Sequence, residues 1–175
     1  MDNFEFIVSK DSIDSTGMAT VPSICRRIAY AIRRNFDGKG RLTGSTLEIS
    51  SRPREDEMYN ILLRNAGQDG KEFWKKVILT DQEGYEFGHG VFSWKAASSK
   101  TAGADKLIFL DKFYSMLPED VASTGLSVKI DMDFLEDSCS EDSIVCNVSR
   151  ENQDKYLFDA KCCGTAVCSG SLVTE

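Results

Sequence analysis

The sequence predicts an all-β fold: an antiparallel β-sandwich of about eight strands, followed by a less regular C-terminal tail. Three observations lead there. From Leu126 to Phe134 the apolar residues Leu126, Val128, Ile130, Met132 and Phe134 alternate with Ser127, Lys129, Asp131 and Asp133. That period of two suits a strand with one buried and one wet face, and a helix would scatter those side chains around its axis. Turn chemistry recurs, at Gly38, Gly40 and Gly44, at Gly67 and Gly70, and from Asp81 to Gly84. No long helical pattern stands out.

Taken in order, Phe4 to Val8 alternates and reads as a first strand, and residues 9–24 read as loop. Ile28-Ala-Tyr30-Ala-Ile32 reads as a strand by the alternation of Ile28, Tyr30 and Ile32, although its alanines also suit a short helix. Ser45 to Ser50, Met58 to Arg64, Phe73 to Leu79 (one bent strand or two), Tyr85 to Phe87 and Val91 to Trp94 supply further strands. Ala96 to Ala104 is small and polar and is expected to be a mobile loop. Asp111 to Met116 makes about one helical turn, stopped at Pro118. In the tail, Ile144 to Val148 and Tyr156 to Phe158 form a candidate hairpin. The expected division is 1–134 for the sandwich and 135–175 for an acidic, then cysteine-rich tail, with no internal repeat.

The chain is 41% hydrophobic with a formal net charge of −7, so a packed core is expected and binding to nucleic acid is not. No apolar run reaches the roughly 20 residues of a membrane span, and Met1 to Phe6 lacks the basic start of a signal peptide. A cytoplasmic or nuclear location is expected. Five of the six cysteines lie from Cys139 onward, and free thiols are expected there. The spacing of Cys162, Cys163 and Cys168 is poor for zinc, so no metal and no cofactor are expected. Asn147-Val-Ser149 is a formal glycosylation sequon with no meaning inside a cell.

His89 is the one histidine. Between Gly88 and Gly90 it reads as a loop or bulge residue, so no catalytic residue is assigned and no enzyme is expected. Aromatic side chains in or beside strands, Tyr59, Tyr85, Phe92 and Trp94, are the candidate anchors of a recognition surface.

The order of segments resembles a MATH domain, the TRAF-type β-sandwich. Tyr59-Asn-Ile-Leu-Leu-Arg-Asn65, Tyr85-Glu-Phe87, Phe109-Leu-Asp-Lys-Phe113-Tyr114 and Leu117-Pro-Glu-Asp120 fall in family order before the strand ending at Phe134. The resemblance implies a non-enzymatic adaptor that binds an extended peptide of a protein partner, as in substrate recognition for a ubiquitin ligase. It puts Tyr59 and Tyr85 on groove positions and Glu48 on a third, with Phe92 and Trp94 as substitutes for a missing Trp-Gly-Phe segment. Asp142 to Val148 and Phe158 to Lys161 are similar to the start of a BTB/POZ domain, too short here to complete one. The alternative expectation is a carrier holding a small apolar or sugar ligand against Trp74, Phe92 and Trp94.

Overall fold

The computed structural model describes residues 1–100, 107–135 and 143–175, with only the backbone of residues 99 and 100. Strand β1 (Asp2–Ile7) and a 3-10 turn (Lys10–Ser12) lead into helix α1 (Val21–Asn35). Four long strands follow: β2 (Lys39–Ile49), β3 (Met58–Asp69), β4 (Glu72–Asp81) and β5 (Glu86–Lys100). After α2 (Ile108–Met116) and α3 (Glu119–Ala122) come β6 (Val128–Phe134), β7 (Ile144–Arg150), β8 (Lys155–Cys162) and β9 (Thr165–Thr174).

All nine strands form one antiparallel sheet in the order β1-β3-β4-β5-β2-β6-β9-β8-β7. The antiparallel, strand-dominated architecture is as expected. The two-layer sandwich of eight strands is not: there is a single sheet, and its second layer is helical. Alternate strand residues such as Leu47, Ile49, Ile61, Leu63, Val77, Leu79, Phe92, Ile130 and Leu172 meet Ile24, Ile28 and Ile32 of α1 and Leu110 and Phe113 of α2 in one buried core.

The largest departure from expectation is α1, in place of a strand at 28–32. Val21, Ile24, Cys25, Ile28, Ala31 and Ile32 are its buried face, a spacing of three and four that fits a 3.6-residue turn. Tyr30, counted as apolar partner in the strand reading, is half exposed. The helix is also punctuated at both ends. Thr20 accepts a hydrogen bond from the Ser23 amide at 3.2 Å, Pro22 occupies the first turn, and Gly38 takes a positive φ of 73° just beyond the C-terminus.

The strand order contains a repeat. Reading outward from the central β2–β6 pair gives β2-β5-β4-β3 on one side and β6-β9-β8-β7 on the other. Each half connects its strands identically, and each is preceded by helix, so the second half repeats the first about the β2–β6 seam. No repeat had been expected from the residues. The seam runs from Gly44↔Asp133 to Ile49↔Val128. The expected boundary at residue 134 therefore falls inside a continuous sheet: β9 pairs along the whole of β6, from Val128↔Thr174 to Phe134↔Cys168. The expected loop after Ala96 is strand as far as Lys100, and the rest of it lies outside the described residues.

Both halves bring the strand flanking the seam in on a glycine. A Cβ on Gly90 of β5 would lie 2.2 Å from the Thr46 carbonyl oxygen, and one on Gly170 of β9 would lie 2.4 Å from that of Asp131 and 2.5 Å from the Phe158 ring. A second tie is polar. Arg52, between β2 and β3, donates to Asp14 Oδ2 at 2.6 Å and to the Ala19 carbonyl at 3.1 Å. Its other nitrogen donates to the carbonyls of Ser123 and Thr124, at 3.0 and 2.8 Å, in the chain leading to β6. The guanidinium is 5% exposed and the carboxylate 12%, so the pair is a buried clasp between halves.

Candidate functional site

A site that does acid–base chemistry needs a titratable group with a partner in a concave surface. Asp14 does not qualify. Burial opposes its charge, but hydrogen bonds from the Thr16 side chain and Arg52 outweigh this and hold its carboxyl below its ordinary value. Its oxygens are taken up by Thr16, Met18 and Arg52. Cys25 is fully enclosed, and burial pushes its thiol up to about 12, which leaves no thiolate nucleophile. Among the described residues no group of acids, cysteines and histidine is arranged to hold a metal ion.

His89 does qualify, and the sequence reading misplaced it. It is the fourth residue of β5, within the strand and not in a loop. Gly88 and Gly90 point to the packed side, where a Cβ on Gly88 would lie 2.9 Å from the Glu48 carbonyl oxygen, and His89 points to the opposite face. The alternation Gly-His-Gly was the available signal: in a strand it puts both glycines on one face and the imidazole alone on the other. Register then supplies the neighbours. Glu48 of β2 is directly across from His89 and also directly across from Lys129 of β6. Glu86 lies three residues before His89 on the same strand.

The imidazole is held from both sides. His89 Nδ1 is 2.8 Å from Glu86 Oε1, and Nε2 is 3.5 Å from Glu48 Oε2. A carboxylate only accepts, so the contact with Glu86 is a hydrogen bond donated by Nδ1, and Nε2 faces the second carboxylate. The second oxygen of Glu48 is 3.4 Å from Lys129 Nζ. These side chains border a cleft of about 230 Å³ that is also lined by Ser50, Ser127 and the strand segments of Ile49, Phe87 and Val128, whose own side chains are buried in the core. His89, Glu86, Glu48 and Lys129 are each roughly half exposed, so each ion pair adds little to stability. Their value is chemical: a histidine oriented by one carboxylate, able to take a proton at Nε2 beside a second carboxylate and a lysine.

Of the residues expected to form a groove, only Glu48 lies in this cleft. Tyr59 and Trp94 are almost fully buried and Phe92 completely so. Tyr59 packs between Phe6 and Phe87, with ring centroids 5.9 and 6.0 Å away, and burial pushes its phenol far up. Trp94 stacks on Phe36 at 5.7 Å and donates to the Lys39 carbonyl. Tyr85 stands 73% exposed at the turn before β5. Core side chains and an isolated turn residue share no surface. Trp74 pairs with Ser93 while Phe73 pairs with Trp94, so Trp74 is on the sheet face opposite Trp94 and no pocket unites them.

The fold is a hot dog fold. The structure matches an acyl-ACP thioesterase from Bacteroides thetaiotaomicron VPI-5482 with a TM-score of 0.83, over 99% of this chain and 97% of that one, at 10% identity. It matches the 12:0-ACP thioesterase from Umbellularia californica with a TM-score of 0.81, over 99% and 96%, at 5% identity. A protein of unknown function with the hot dog fold from Alicyclobacillus acidocaldarius gives a TM-score of 0.70, over 99% and 93%, at 8% identity. No family model and no curated protein matches the sequence.

These likenesses run the length of the chain and overturn the MATH resemblance, which rested on the order of short motifs in a sandwich that does not exist. The peptide-binding adaptor, its protein partner, the link to a ubiquitin ligase and the expectation of a non-enzyme fall with it, as does the carrier alternative: the neighbours are named as thioesterases. No helix among the described residues is long and apolar enough to cross a membrane. Cys25, Cys146 and Cys163 are free thiols as expected, whereas Cys162 is disulfide-bonded and Cys139 lies outside the described residues.

Proposed function

We propose that this protein hydrolyses an acyl thioester, carried on coenzyme A or on an acyl carrier protein, and that the His89 cleft is where it does so. The observation that carries the reading is the whole-length hot dog architecture shared with proteins named as acyl-ACP thioesterases. The cleft supports it by bringing together a histidine, an orienting carboxylate and a cation.

In the proposed reaction a water donates one proton to His89 Nε2 while its oxygen forms a bond to the thioester carbonyl carbon. Glu86 holds the ring and offsets the charge of the imidazolium. Lys129, the cation among the cleft's lining residues, offsets the charge of the oxyanion that develops. The carbon–sulfur bond then breaks, and the thiolate leaves and takes the proton back from His89. The products are a free acid and a thiol. A general base of this kind contributes about 10²–10⁴-fold in rate.

The test is thiol release from acyl-CoA substrates of graded chain length by the intact chain, His89→Ala and Glu86→Gln, with circular dichroism of each. The expected result is release by the wild type, a loss of about 10²-fold or more in His89→Ala, and a smaller loss in Glu86→Gln. Wild-type release that survives in folded His89→Ala would remove the chemistry from this cleft. No release from any acyl thioester would overturn the hydrolase reading itself.

A further inference from the structure

The two halves of the sheet differ in one position. In the first half β3 is flanked by β4 and by β1, which pairs with it from Asp2↔Leu63 to Ile7↔Met58. Its counterpart in the second half is β7, which is flanked by β8 alone. Among the described residues nothing takes the place of β1 there. Seven residues, Ile144–Arg150, therefore present one row of backbone donors and acceptors with no strand beside them.

The two open edges of the sheet are built differently. The β1 edge carries the exposed acids Asp2 and Glu5, the usual protection against pairing with another chain. From Ile144 to Ser149, β7 has no charged residue at all. The one cation of the strand, Arg150, is turned into the following turn, where it donates to the carbonyls of Asn152 and Gln153 at 3.1 and 2.9 Å. Val145 is 63% exposed on the outer face beside this edge. From Ile144 to Ser149 the edge is uncharged, and it is apolar at the Val145 end.

We infer that β7 is a dimerisation edge, and that a second copy of this chain pairs its own β7 there, antiparallel, across a two-fold axis. The charge pattern selects that occupant. Two uncharged β7 strands meet without like-charge opposition, and an antiparallel pair about a dyad closes the assembly at two copies. Pairing β7 onto the acid-protected β1 edge of another copy would leave both outer edges free again and propagate into a filament. With the axis near Asn147, Val145 of each copy faces Ser149 of the other. A seven-residue strand is about 23 Å long at about 3.3 Å per residue, a narrow seam, so the dimer should be weak and concentration-dependent. The inference is independent of the hydrolase reading.

Sedimentation velocity of the full chain over a wide concentration range tests it, alongside two edge variants and one control. Asn147→Lys sets lysine against lysine across the dyad while placing each beside Asp159 of its own chain, within 3.4 Å of which the Asn147 amide already sits. It should raise the dissociation constant several-fold without lowering the melting temperature. The double variant Val145→Glu, Ser149→Glu opposes acids across the dyad and should do the same. Asn3→Lys, on the β1 edge, should leave the equilibrium unchanged. A wild type that stays monomeric at every concentration overturns the proposal. So does a dimer that survives both β7 variants, or one that is lost in Asn3→Lys.

Discussion

The two halves share a strand order and differ in how much structure each can hold by itself. The first has strands of 11, 12, 10 and 15 residues around a 15-residue helix with seven buried side chains. The second has strands of 7, 7, 8 and 10 residues and a 9-residue helix with three. Helix α1 starts on a side-chain cap, whereas α2 follows Leu107, which offers none. With less apolar surface to bury and weaker helix starts, the second half depends on the seam and the Arg52 clasp. One topology is thus carried by local signals in one half and by contact with its twin in the other.

The sharpest way to break that dependence is Arg52→Ala. It strands the buried Asp14 carboxylate and leaves three carbonyls without their donor, and should cost about 3–5 kcal/mol in a denaturant titration. A pH series adds a sign. Because the folded Asp14 carboxyl is held below its unfolded value, its contribution is complete above the ordinary carboxylate range and is lost as pH falls through the lowered folded value. Arg52→Ala should therefore lose most at neutral pH and less in acid, where only the three carbonyl hydrogen bonds are missing. A variant equally destabilised at every pH would mean that the clasp is not electrostatic.

Gly170→Ala comes next. The added methyl meets the Asp131 carbonyl and the Phe158 ring, which is itself stacked on Phe113 at 3.8 Å, so there is no flexible chain end to yield. The expected loss is about 1–3 kcal/mol. Hydrogen exchange should place it in β8 and β9 first, and an even loss of protection across the sheet would argue against a dependent second half. Thr20→Ala, which removes the α1 cap, should cost about 1 kcal/mol with the seam intact. Lys129→Ala, losing one half-exposed ion pair, should change stability by less than about 1 kcal/mol. Its effect should appear in thiol release instead.

What was legible in the sequence follows the same division. Strands with one wet face, such as β6 and the start of β3, announce themselves by alternation. Helix α1 was also written there, in Val21, Ile24, Cys25, Ile28, Ala31 and Ile32 and in the Thr20 cap, but a local alternation at Ile28, Tyr30 and Ile32 obscured the longer period. The repeat was not legible, because it lives in strand order and the two halves spell it with different side chains. The cleft was half legible: Gly-His-Gly fixes which way His89 points, but Glu48 and Lys129 reach it only through pairings across β2, β5 and β6. The groove failed for a related reason. Aromatic residues in strands report burial as readily as recognition, and Tyr59, Phe92 and Trp94 are buried.

The proposed activity is the cleavage of acyl thioesters at His89. The most direct measurement is the initial rate of thiol release against acyl chain length, for the wild type and His89→Ala side by side. Thiol release is expected from the wild type, and at every chain length that it cleaves, folded His89→Ala should release thiol about 10²-fold more slowly or worse. Release that is absent for every chain length, or unchanged in the folded variant, would contradict the account.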